Sequence, residues 1–170
     1  KAYEVMKAKF SYKNKLAAPR ITKVVVSSAT GTGMKKDQKR NEHVLGRIAR
    51  ITGQKPSLKG AKKSVASFKI RQGDPIGVMV TLRGAKMYAF LDKLLNIALP
   101  RTKDFRGIER KIVDNIGNAT IGIKEHTIFP ETADEDIRDV FGMAVTIATT
   151  AKTKDEATAF FELLGLPFKK

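Results

Sequence analysis

Apolar and polar positions alternate along this chain with two different periods, and the periods mark its elements. Residues 21–27 (ITKVVVS) are short and β-branched, which predicts a strand, and Pro19 bars a helix from running into it. Val44, Leu45, Ile48 and Ile51 recur at helical spacing, predicting a helix over 37–52 with Gly53 as its stop. Ala66, Phe68 and Ile70 alternate with Ser67, Lys69 and Arg71, the period of a half-buried strand; Ile76, Val78, Val80 and Leu82 repeat it. Together the two runs predict a β-hairpin with a tip over 71–76, its turn made by Gly73, Asp74 and Pro75. Met87, Phe90, Leu91, Leu94, Ile97 and Ala98 predict one buried face of a helix over 85–98, closed by Pro100. A short helix over 2–11 and strands over 119–123 and 143–149 complete the middle of the pattern. Thr153 with Glu156 fits a capping box for a last helix ending near Leu164, with Gly165 and Pro167 beyond it. Strands and helices mix without strict βαβ alternation. The expected fold is therefore α+β: a mostly antiparallel sheet, helices packed on one face, and a protruding hairpin.

Composition bounds this picture. At 170 residues the chain can bury roughly 70% of its unfolded surface, and no repeat or linker divides it, so one domain over 1–170 is expected. Hydrophobic residues are 42% and charged residues 29%, a globular mix. No apolar run reaches the ~18 residues of a membrane span, and no signal-peptide pattern opens the chain. It starts at Lys1 rather than Met, so a short missing N-terminus is expected. There is no cysteine, which excludes disulfides, thiolate metal sites and cysteine nucleophiles.

Charge changes the picture most. Lys plus Arg total 33 against 17 acids, a net charge of +16. Residues 1–71 hold 19 Lys/Arg and three acids (Glu4, Asp37, Glu42), whereas 72–170 hold 14 of each and balance to zero. The whole excess lies in the first two-fifths, which points to a localised polyanion site. The densest stretch, 55–71, carries Lys55, Lys59, Lys62, Lys63, Lys69 and Arg71 and no acid. The opposite extreme is 131–139, where Glu131, Asp134, Glu135, Asp136 and Asp139 face only Arg138.

Catalytic apparatus is missing from the pattern. The loop at Gly31 and Gly33 lacks the third glycine of a dinucleotide fingerprint, since Lys36 stands there. The Gly53–Gly60 spacing is too wide for a P-loop, and Ala61 replaces its lysine. The two histidines, His43 and His126, lie 83 residues apart with no histidine or cysteine neighbour in sequence. Neither a metal nor a cofactor is expected, and no nucleophile–base constellation is legible. A non-enzymatic protein follows.

Seven segments then carry a resemblance. They are 51–56 (ITGQKP), 64–77 (SVASFKIRQGDPIG), 80–84 (VTLRG), 99–107 (LPRTKDFRG), 128–131 (IFPE), 149–152 (TTAK) and 166–169 (LPFK). In this order, from about Pro19 onward, the chain closely resembles the bacterial-type L-five family of large-subunit ribosomal proteins. The resemblance implies a cytoplasmic or organellar ribosomal protein of the central protuberance. It implies 5S rRNA as partner, with 23S rRNA and neighbouring central-protuberance proteins beside it. It also implies contacts with peptidyl-site tRNA and with the small-subunit head protein S-thirteen, and no membrane.

Carried onto this sequence, the resemblance implies an rRNA surface of Ser27, Gln54, Lys55, Thr81 and Arg83, surrounded by Lys23, Lys35, Lys36, Lys62 and Lys63. Arginine can fork onto a phosphate or a guanine edge, amide and hydroxyl groups reach base or ribose, and lysines neutralise phosphate. Where the family carries Asn-Met-Gly after its first strand, this chain has Ser27-Ser28-Ala29. The hairpin residues Lys69, Arg71, Gln72, Gly73 and Asp74 are the implied tRNA contact. The acids Glu131, Asp134, Glu135, Asp136 and Asp139 are the implied protein bridge. Two other classes compete on charge alone: a DNA-binding module and an RNA-modifying enzyme. No helix-turn-helix or long basic recognition helix supports the first, and no cofactor loop or nucleophile supports the second.

Overall fold

The computed structural model describes residues 2–30, 38–103, 105–132 and 140–169. Five strands form one sheet: β1 (Ile21–Ala29), β2 (Ser57–Gly60), β3 (Pro75–Leu82), β4 (Ala119–Ile123) and β5 (Met143–Thr149). Their order is β2-β3-β1-β5-β4, and every neighbouring pair is antiparallel. The helices are α1 (Ala2–Phe10), α2 (Gln38–Thr52), α3 (Gly84–Lys93) and α4 (Lys154–Leu163).

Strand alternation sorts the side chains by face. Val24, Val26, Val80, Leu82, Val145, Ile147 and Ile121 point to one side and are buried. Ile48 and Ile51 of α2, Met87 and Phe90 of α3, and Phe160 and Phe161 of α4 join them in one apolar cluster. Each fully buried aliphatic or aromatic side chain contributes roughly 1.5–3 kcal/mol, so this layer carries the stability of the sheet. The helix α1 packs beside α4: Met6 is buried, and Tyr12, just past the helix, donates its hydroxyl proton to the Glu156 carboxylate. Burial first, and this bond second, push the Tyr12 pKa up. Thr153 caps α4 by accepting from the Glu156 N–H, as a capping box requires; the Glu156 carboxylate reaches back to the Lys152 N–H instead of to Thr153.

Two expectations are corrected. Ile97 is 44% exposed, because residues 94–98 wind as a wider π-type turn, closed by the Leu99 N–H on the Leu94 carbonyl, which rotates Ile97 out of the buried face. The second correction concerns the hairpin. The partner of β3 is β2, paired as Ser57–Met79, Leu58–Val78 and Lys59–Gly77, and residues 66–71 form no strand of the sheet. Between β2 and β3, residues 61–74 leave the sheet as a protruding loop. Gly73 and Asp74 lie at its root, hydrogen-bonded to Ala61, and its tip is 66–69, closed by the Val65–Ile70 bridge. The period-two run at 66–71 arises from a turn that needs no buried side.

Candidate nucleic-acid interface

Among the described residues, no helix covers the second face of the sheet. Along β1 it presents Lys23, Val25, Ser27 and Ala29, all half-buried or exposed. The register sets Thr81 and Thr146 beside Val25, and Met79 and Ala144 beside Ser27, with Ser57 and Gly122 one strand further out. Lys59 stands beside Gly77 on the same face. Lys23 and Lys59 are its charges, and no carboxylate lies on it among the described residues. A smooth, acid-free, hydroxyl-bearing surface lets a phosphate backbone approach closely.

One end of this face is organised by the exit of α2. The helix stops at Gly53, whose φ of +64° suits glycine. Lysines of α3 satisfy the last carbonyls: Lys93 donates to Ile51 at 2.6 Å and Lys86 to Gly53 at 3.2 Å. Gln54 then donates its side-chain amide to the Thr81 carbonyl at 3.1 Å. These bonds fix where exposed Lys55 leaves the helix, beside the end of β3 where Thr81 and exposed Arg83 stand. Ser27, Gln54, Lys55, Thr81 and Arg83 therefore share one region, with Lys23 on the adjoining strand. Ser28 points to the buried side and is committed to the Gly142 carbonyl at 2.7 Å, so only Ser27 of that pair faces outward.

Lys62 and Lys63 belong elsewhere. They lie past Gly60, which pairs with Pro75, and that point is six residue steps along β3 from Thr81, about 20 Å of strand. They sit with Lys69 and Arg71 on the protruding loop, all four exposed. That loop is internally braced. Val65 and Ile70 exchange backbone hydrogen bonds of 2.9 and 3.1 Å, and the Gln72 N–H reaches the Ser64 hydroxyl at 2.9 Å. Asp74 accepts from the Arg71 N–H at 2.7 Å, which makes it a turn-former. At the root, a Cβ on Gly60 would meet the Gly73 carbonyl oxygen at 3.0 Å, so the two backbones approach more closely than a side chain fits without a shift.

The acidic stretch is partly engaged in the fold. Glu131 pairs with Lys93, the same lysine that caps α2. Asp134, Glu135, Asp136 and Asp139 lie outside the described residues, as do Lys35 and Lys36.

Sequence separation hides one feature of the histidines. His126 is buried, stacked on Phe141 with ring centroids 4.1 Å apart, and its Nδ1 accepts from the Phe141 N–H at 3.4 Å. Its pKa is lowered, first by burial and then by the charge of His43, so the two rings lie within electrostatic reach. Among the described residues, no three His, Asp or Glu side chains are grouped to hold a metal ion. A cavity of about 520 Å³ beside β4 has Leu99, Phe105, Ile108, Ile112, Ile121 and Ile128 in its lining, together with the charged Arg101, Lys103, Lys124 and Glu125. No helix among the described residues is long and apolar enough to cross a membrane.

One surface residue escaped the sequence pattern. Phe68 is 68% exposed at the loop tip, although the alternation assigns it to a buried strand face. An all-cationic neighbourhood was the available signal that the ring faces outward.

Comparison with known proteins gives a consistent set of relatives. Residues 14–71 match the family described as Ribosomal protein L5, and residues 75–168 match the C-terminus of the same ribosomal family. The chain is 51% identical to the large ribosomal subunit protein uL5 of Halothermothrix orenii over 95% of this chain and 90% of that one. It is 48% identical to uL5 of Acaryochloris marina, covering 97% and 91%, and 46% identical to uL5 of a Thermotoga species, covering 95% and 87%.

Proposed function

This chain belongs to the L5 family of large-subunit ribosomal proteins, a structural and non-enzymatic constituent of the ribosome, and from that premise we propose that it holds 5S rRNA on the uncovered face of its sheet. The observation that carries the reading is the face itself: hydroxyl-bearing, free of carboxylates among the described residues, and edged by Lys23, Lys55, Lys59 and Arg83. Arg83 and Lys55 meet phosphates; Thr81, Ser27 and Gln54 reach ribose or base edges. Gln54 donates to Thr81 through its nitrogen, which leaves its carbonyl oxygen as an acceptor.

The site of action is the central protuberance, with 23S rRNA and neighbouring proteins around it. The protruding loop, with Lys62, Lys63, Lys69, Arg71 and Gln72, reaches the elbow of peptidyl-site tRNA. Gly73 and Asp74 shape that loop from its root. Every tRNA must pass this point, so the contact reads backbone rather than sequence. The acidic residues of 131–139 meet a basic protein of the small-subunit head, S-thirteen, since carboxylates are repelled by phosphate. Filter binding of 5S rRNA against duplex DNA of equal length, at matched salt, tests the central reading. Preference for 5S rRNA at every salt concentration supports it, and equal retention of both contradicts it.

A further inference from the structure

Eight of the nine phenylalanines are buried or half-buried; Phe68 alone is exposed. An isolated ring at a loop tip carries no implication by itself, but three features of its setting do. The backbone beneath it is fixed before any partner arrives. The Val65–Ile70 bridge closes the turn, the Lys69 N–H bonds the Ala66 carbonyl at 3.0 Å, and Lys69 adopts a left-handed φ of +52°. A non-glycine residue in that conformation is strained, so the tip is held in this shape by the bonds around it. The charges flanking the ring, Lys62, Lys63, Lys69 and Arg71, are all positive and all exposed, while Asp74 is committed to the Arg71 backbone at the root. Finally, the ring stands at the far end of the protrusion from the sheet, where it meets a partner first.

A rigid aromatic among cations fits a polyanion that also offers flat apolar surfaces, which describes RNA. We infer that Phe68 is a stacking platform for an exposed RNA base, the flanking lysines holding the adjoining phosphates. The inference rests on the RNA-binding reading of this loop and adds to it a contact that is apolar, indifferent to sequence and insensitive to salt. The base can belong to tRNA or to rRNA; the recognised chemistry is the same face.

The chain contains no tryptophan, so Phe68→Trp introduces a single reporter whose emission is quenched when a base stacks on it. Leu16→Trp, at a site 83% exposed and remote from the loop in sequence, serves as control. The full chain, alone and bound to 5S rRNA, is titrated with elongator tRNA, with 5S rRNA and with 23S rRNA, while RNA retention is followed separately on filters. Quenching of Phe68→Trp without quenching of Leu16→Trp is expected, and the RNA that produces it identifies the source of the base. Phe68→Ala should weaken binding of that RNA on the order of 5- to 150-fold; Phe68→Tyr should restore it and Phe68→Leu should not. RNA retained equally by wild type and Phe68→Ala, with no quenching, overturns the inference and leaves the ring to a protein partner. Retention of no RNA by the wild-type chain overturns the RNA-binding reading itself, and this inference with it.

Discussion

The side-chain amide of Gln54 donates to the backbone carbonyl of Thr81 at 3.1 Å, and this bond joins the exit of α2 to the strand that carries the proposed rRNA face. Lys55 follows immediately, so its position relative to Arg83 depends on that bond. Gln54→Glu removes the donor and sets a carboxylate against a carbonyl. The expected loss is about 1–2 kcal/mol in urea unfolding, with 5S rRNA affinity falling further than for Gln54→Ala because a negative charge now stands beside Lys55. Unchanged unfolding midpoints in both variants would show that the bond organises nothing.

The buried imidazole of His126 makes stability depend on pH. Burial lowers its folded pKa below the 6.5 of an exposed histidine, with His43 and then Arg47 opposing its charge further and the backbone of Phe141 acting the other way. The unfolded chain therefore takes up the proton first as pH falls, so the stability is present above about pH 6.5 and is lost on the way down toward the folded pKa. Thermal midpoints should be flat above neutrality and fall as the pH drops below about 6.5. His126→Gln, which cannot titrate, should flatten that part of the curve; an unchanged fall would assign it to other groups.

Tyr12 and Glu156 join the first and last helical segments of the chain. Tyr12→Phe leaves a buried carboxylate with one partner fewer, at a cost of about 1–3 kcal/mol. Because α1 touches the rest of the molecule mainly through α4, hydrogen exchange should speed up in α1 while the strands β1, β3 and β5 keep their protection. Uniform acceleration throughout would mean that the contact supports the whole fold instead.

Periodicity made most of the elements legible. The β-branched runs of β1 and β5 and the helical repeat of Val44, Ile48 and Ile51 are strong signals because one side of each element is buried. The same rule misplaced 66–71, where Phe68 and Ile70 alternate with polar residues inside a turn, and it missed β2, whose four residues are all exposed and whose single apolar residue, Leu58, makes no alternating pattern. Ile97 misled for a local reason, the π-type turn that shifts the phase of the helix. For the interface, the basic, acid-poor composition of residues 1–71 pointed to the part of the chain that supplies Lys23, Ser27, Gln54 and Lys55 of the proposed face. It could not separate Lys55 from Lys62, because their division comes from the register of β2 on β3, a property of pairing that residue types do not encode.

That division is the most direct point of attack. If the sheet end binds 5S rRNA, Lys55→Glu with Arg83→Glu should weaken binding and flatten its salt dependence, the slope of log affinity against log salt falling by about 1.4–1.8 for two lost phosphate contacts. Lys62→Glu with Lys63→Glu, on the protruding loop, should leave that slope unchanged. A slope unaltered by the first pair and flattened by the second would contradict the account and move the 5S rRNA site from the sheet to the loop.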